Sequence, residues 1–183
     1  MKLSPLAVLG WASFTGSALS ADPSAPRAFD VMALRSASPV HFAALRAARG
    51  SLLLNLDEQK AECKGENTRA TMYIQDTRLF LYSSDKPQRV FVDRSAMGQG
   101  IIRYIDHDQT APQNAEFKGW SINADGNLVF DNKVLQACPG AIGHAWSVWT
   151  ALVVEPAGLK GCLGFSPRAL DNDRPVSCRY STY

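Results

Sequence analysis

The sequence predicts an all-β fold: a single compact closed domain, with a β-trefoil-like barrel favoured over a β-sandwich, and a disulfide-clamped C-terminal extension. Three observations carry this. From Phe29 onward, short runs of alternating apolar and polar residues are separated by turn formers, the period-two signature of strands. Asp125-Gly126 sits between two such runs, and glycine supplies the positive φ that a hairpin turn needs. A faint repeat also emerges: Phe29/Val31, Met72/Ile74 and Trp120/Ile122 open three segments at offsets of 43 and 48 residues. Leu52/Leu54, Ile101/Arg103 and Trp146/Val148 fall at similar distances into those segments. Four strands in each of three segments make units that bury their apolar faces only against one another.

The elements follow in order. Residues 1–21 read as a secretory signal peptide: Lys2 is a short basic start, Leu3–Phe14 is mostly apolar, and Ala18 and Ser20 take A-x-A-like positions for cleavage. The apolar run is too short to span a bilayer. Residues 22–28 form a flexible leader, and 29–183 the single all-β domain, with 151–183 as its C-terminal extension. Strand runs lie in Thr71–Tyr82, Arg89–Asp93, Trp120–Ile122, Leu128–Phe130 and Ala145–Trp149. Only Ser38–Arg49, with its Ala and Arg content, has the makings of a helical turn or two. Removing 21 of 183 residues leaves 162, enough for one domain with a real core.

Charge excludes some partners. With Lys2 gone, 18 basic residues face 17 acidic ones, a net of +1, which is no electrostatic footprint for nucleic acid or an anionic membrane. No Asn-x-Ser/Thr sequence occurs, so N-glycosylation is not expected. The polar, aromatic Ser177–Tyr183 tail argues against a lipid anchor. The four cysteines, Cys63, Cys138, Cys162 and Cys178, are even in number and lack zinc-ligand spacing. In a secreted chain they imply two disulfides. Three connectivities exist; the favoured one joins Cys162–Cys178 across a short tail loop and Cys63–Cys138 across the body.

The chemistry-bearing residues point away from catalysis. Ser95 lacks a G-x-S-x-G turn, so a Ser95, His107, Asp93 arrangement exists only on paper. Asp57/Glu58, Asp106/Asp108 and Asp171/Asp173 sit among loop formers and read as solvated charge rather than a glycosidase pair. Asp106-His107-Asp108 offers metal-ligating types, but on a strand His107 faces away from both acids. Met97-Gly98-Gln99-Gly100 lacks the lysine and helix of a phosphate loop and reads as a turn. No catalytic residue, metal or cofactor is assigned. Among Trp120, Trp146, Trp149, Tyr73, Tyr82 and Tyr104, most belong to the core. Alternation puts Trp149 opposite Trp146 and Val148, which makes Trp149 the candidate for an outward, ligand-stacking ring.

The chain resembles the PhiA-type cell-wall proteins of filamentous fungi, linked to phialide and spore development. The resemblance rests on Thr71–Asp76, Leu79–Tyr82, Phe91–Gly100, Gly119–Ile122, Leu135–Pro139 and Ala145–Trp149. Cys63, Cys162 and Cys178 also fall where that family keeps cysteines. It spans about residues 29–178 and is loosest over Phe29–Glu62. The resemblance implies a small secreted protein of the fungal wall, with no catalytic residues to carry over. Antimicrobial activity is reported for similar proteins.

The leading expectation is therefore a secreted, extracellular, wall-associated protein that is not an enzyme and contributes to wall structure in asexual development. With near-zero net charge, it would hold chitin or glucan by stacking and hydrogen bonding, and that binding would survive high salt. The alternatives are a secreted effector or antimicrobial protein and, third, an unrecognised hydrolase.

Overall fold

A computed structural model describes residues 26–183; the signal peptide assigned to 1–21 lies outside the described residues, as does most of the 22–28 leader. Strand is the dominant element, at 42% against 4% helix, which establishes the all-β class. Among the described residues no helix is long and apolar enough to cross a membrane.

The first unit holds β1 (Ala28–Leu34), β2 (Arg46–Ala48), β3 (Ser51–Leu54), the short β4 (Glu62–Cys63) and β5 (Met72–Gln75). The second holds β6 (Arg78–Leu81), β7 (Gln88–Asp93), β8 (Ile101–Ile105) and β9 (Trp120–Ile122). The third holds β10 (Leu128–Phe130), β11 (Leu135–Cys138), β12 (Trp146–Thr150) and β13 (Leu163–Asp171), and the short β14 (Cys178–Arg179) follows. Strand β1 begins at Ala28, inside the expected leader, because Ala28 is buried and pairs with Tyr73.

Pairing is antiparallel throughout, and ten strands form one sheet that closes through β11–β12 and β8–β3 into a nine-strand barrel. A sandwich of two open sheets is thereby set aside. The pairings repeat three times. Hairpins β2–β3, β7–β8 and β11–β12 each send their second strand to a common meeting place, where Trp146 faces Leu54, Trp149 faces Ile101 and Ser51 faces Arg103. Around the side, neighbouring units join through β5–β6, β9–β10 and β13–β1. The start and end of each unit touch through the Ala28/Tyr73 pair of β1 and β5 and through isolated bridges at Arg78/Lys118 and Asn127/Arg168, beside β9 and β10. That threefold pattern is trefoil-like, and Leu52/Leu54, Ile101/Arg103 and Trp146/Val148 do mark its equivalent strands.

Three boundaries differ from the sequence expectation. Met72/Ile74 and Trp120/Ile122 lie on β5 and β9, which close units rather than open them. Each is joined to the next unit by a tight hairpin, so the alternation runs on across the boundary. In the β5–β6 turn, Asp76 and Thr77 take φ of 49° and 60°. In the β9–β10 turn, Gly126 takes 75° and Asn123 Oδ1 accepts the N–H groups of Asp125 and Asn127 at 3.1 and 2.9 Å. Second, the C-terminal extension is shorter than 151–183: β13 is a barrel strand paired with β1 from Phe29/Asp171 to Leu34/Ser166. Beyond Asp171 the chain leaves the ten-stranded sheet as a strap whose short β14 pairs with β4. Third, Ser38–Arg49 forms turns and then β2, with positive φ at Ala37 and Phe42 breaking any helix.

The disulfides are Cys63–Cys178 and Cys138–Cys162, not the favoured Cys162–Cys178 and Cys63–Cys138. The reason is topological. Nine residues of β13, about 30 Å of extended chain, separate Cys162 from the strap. β13 pairs with β11 through Leu163/Ala137, which lands Cys162 beside Cys138. β14 pairs with β4 so that Cys178 lies directly opposite Cys63.

Alternation fills the interior. Phe29, Val31, Leu52, Leu54, Met72, Leu79, Leu81, Val90, Ile102, Leu128, Phe130 and Val148 form one cluster with Trp120, whose ring meets Phe130 edge-on at 5.0 Å. Tyr104 and Tyr180 join it, so the strap contributes to the core rather than lying over it.

Candidate functional site

The residues singled out in the sequence are scattered. Asp93 and Ser95 stand at one end of the β7–β8 hairpin, where the Asp93 carboxylate accepts Ser95 N–H at 2.9 Å; His107 lies past the other end of β8. Gly98 and Gly100 make that hairpin's turn, as expected, and a Cβ on Gly100 would sit 2.2 Å from Thr150 Oγ1. Asp57, Glu58, His107, Asp108, Asp171 and Asp173 are exposed. Asp106 is half-buried and spoken for, accepting from Gln88 at 3.0 Å and from Arg179 and Thr182 at 3.4 Å. Among the described residues no group of three His, Cys, Asp or Glu is placed to hold a metal.

Trp149 points to the outer face, as alternation requires, since its neighbour Val148 is in the core. Its ring is nevertheless only 6% exposed, and Nε1 donates to Ser147 Oγ at 2.8 Å. It lines a cavity of about 380 Å³ with Gly140, Ala141, Ile142 and Arg103. Trp149 is thus turned away from the core cluster and is covered, without a free ring face at the surface.

The larger cleft lies elsewhere. On β6, period two sends Leu79 and Leu81 inward and leaves Arg78 and Phe80 outside. Phe80 stacks on Tyr73 of β5, with centroids 5.1 Å apart and planes 13° from parallel. Arg89 of β7 stands directly opposite Phe80. The segment Glu116–Lys118 is strapped to both strands, Glu116 bridging to Val92 and Lys118 to Arg78. Phe117 is thereby held 5.8 Å from Phe91 and 5.1 Å beneath the Arg89 guanidinium. Arg78, Phe80, Arg89, Glu116, Phe117 and Lys118 line a cleft of about 660 Å³.

Its electrostatics are one-sided. Arg94 binds Glu116 through Nε at 2.9 Å and Asp131 at 2.8 Å. The Arg94 hydrogen bond holds the Glu116 carboxyl below its usual range and raises the guanidinium in return. Glu116 is therefore a committed carboxylate. Among the described residues Arg78, Arg89 and Lys118 form no ion pair. Burial, with Tyr82 nearby, raises the Tyr73 phenol. Such an arrangement can hold a ring-shaped, polar ligand; it brings no nucleophile and base together.

These cleft residues escaped the sequence reading. Phe80 was legible, since period two between Leu79 and Leu81 places it outside. Phe117 was not, because it lies in a run without alternation and is positioned by its segment's contacts with β6 and β7.

Residues 29–181 match the family described as PhiA-like secreted protein. Cell wall protein phiA of Emericella nidulans is 43% identical over 185 residues, covering 100% of both chains. Its namesake in Aspergillus fumigatus is 40% identical over 184 residues, covering 99% of this chain and 100% of that one. The Aspergillus niger protein of that name is 41% identical over 176 residues, covering 94% and 96%. No solved structure matches the chain.

Proposed function

The chain belongs to the PhiA-like secreted protein family, and on that premise we propose that it is a non-catalytic wall component that contributes to wall organisation during asexual development. It is a secreted cell-wall protein, in keeping with relatives named for the wall. In this reading it is retained by wall polysaccharide, chitin or glucan, seated in the Phe80/Phe117 cleft. One observation supports this above others: two half-buried aromatic rings flank a cleft of about 660 Å³ on a rigid barrel. Aromatic faces pack against the apolar face of a pyranose ring, while flanking polar groups meet its hydroxyls.

The test is co-sedimentation of the purified protein with insoluble chitin and insoluble β-glucan, with and without about 1 M NaCl. Retention on a neutral polymer should persist in salt, and Phe80→Ala should weaken it about threefold to tenfold. Failure to sediment with either polymer, or complete release by salt, overturns the polysaccharide reading. Deleting the gene and scoring phialides and conidia tests the developmental role; normal structures would remove it.

A further inference from the structure

We propose, building on the cleft reading above, that this cleft selects saccharides that carry an anionic group, a carboxylate or a phosphate, over neutral ones. The chain as a whole is nearly neutral, with a net charge of +2. Yet Arg78, Arg89 and Lys118 line one cleft, and its sole acid, Glu116, is engaged by Arg94.

The placement of Arg78 against Lys118 is the sharper observation. They are partners in an isolated antiparallel bridge between β6 and the segment leading into β9, and like charges directly opposite each other destabilise such a pairing. Both side chains are exposed and neither has a carboxylate within reach among the described residues. A single bound anion converts that repulsion into two charge-assisted contacts.

Arg89 adds a fixed third charge. Its Nη2 donates to the Gln109 carbonyl at 2.7 Å and its guanidinium lies over the Phe117 ring, so it is already held in place. Its buried Nε has no hydrogen-bond partner. An anion alone would need only the cations; Phe80 beside them supplies an aromatic surface for the ring that bears it. The ligand class that uses both is an acidic sugar within a glycan chain.

Calorimetric titration with four probes tests this: oligogalacturonate for a carboxylate, a mannose 6-phosphate oligosaccharide for a phosphate, a neutral β-glucan oligosaccharide, and inorganic phosphate alone. At low salt one or both charged oligosaccharides should bind about tenfold tighter than the neutral one, and the advantage should vanish near 0.5 M NaCl. The two charged arms decide which anionic group is preferred. The double substitution Arg78→Gln/Lys118→Gln should bring the charged probes down to the affinity of the neutral one, and hold or raise the thermal midpoint. Equal affinities for charged and neutral probes, a preference that survives the double substitution, or phosphate binding as tightly as the sugars overturns the inference. Sedimentation with neutral polymer but no anionic preference would defeat this inference alone. Anionic-sugar binding without sedimentation would defeat the retention reading alone.

Discussion

The side-chain amide of Gln88 pairs with the backbone of Tyr180 as a neighbouring strand would: Nε2 donates to the Tyr180 carbonyl at 2.7 Å, and Oε1 accepts its N–H at 2.8 Å. The second Nε2 hydrogen goes to Asp106 at 3.0 Å. Gln88 is 2% exposed and Tyr180 1%, so these bonds replace water completely. Truncation would strand two buried backbone groups, each costing about 1–3 kcal/mol. Gln88→Ala is expected to lower stability by about 2–4 kcal/mol in urea denaturation. Gln88→Glu should be no better, since it loses the donor and sets a carboxylate against Asp106. An unchanged midpoint in both would show that the strap is held by other contacts.

The two disulfides should differ in worth. Cys63–Cys178 spans 115 residues and Cys138–Cys162 spans 24. Restricting the unfolded chain gives about 5 kcal/mol for the first and about 3.5 kcal/mol for the second. Replacing both members of each pair by serine should therefore destabilise more in the Cys63/Cys178 variant, as read from denaturation midpoints. Peptide mapping without reduction should recover these two linkages and no others.

High pH should loosen the strap. Burial pushes the Tyr180 phenol up to about 12, and Tyr104 is raised by burial as well. Below pH 10, folded and unfolded chains both keep the proton and the contribution is present in full. Between pH 10 and 12 the unfolded chain ionises while the native one does not, so stability falls with a slope of about 1.4 kcal/mol per pH unit per group. Urea midpoints at pH 9 and 11 measure this, and Tyr180→Phe should show a shallower fall. A midpoint independent of pH over that interval contradicts the burial of these rings.

The β5–β6 turn can be improved. Asp76 and Thr77 both occupy the left-handed region, which suits a two-residue hairpin but strains a β-branched threonine. Asp76→Asn with Thr77→Gly should raise stability by about 1 kcal/mol. The Thr77 carbonyl, which accepts from Gly119 and Trp120, is backbone and survives the change. A lower thermal midpoint would mean that the side chains do more than tolerate the turn.

Legibility in the sequence followed the range of the interaction. Strand runs and the Asp125-Gly126 turn are local, and period two alone placed Leu79, Leu81, Val90 and Val92 in the core. The threefold repeat was visible through β3, β8 and β12, but the unit boundaries were hidden inside hairpins whose alternation does not break. Cysteine pairing depends on which strands neighbour each other, so Cys162 could not be assigned to Cys138 before β13 was known to lie beside β11. The site failed in the same way. Trp149 faces outward as its register demands, but only the fold reveals that it is covered; Phe117 acquires its place entirely from β6 and β7.

The Cys63–Cys178 bond spans most of the chain and encloses the whole of the Cys138–Cys162 loop. A protease that severs any one peptide bond between Lys64 and Ser177 releases nothing, because both pieces stay joined through sulfur. A first cut between Lys64 and Ala137 and a second between Pro139 and Gly161 still leave the three pieces as a single covalent molecule. In an extracellular setting, nicks in exposed loops therefore accumulate without shedding fragments, and the barrel ages in place.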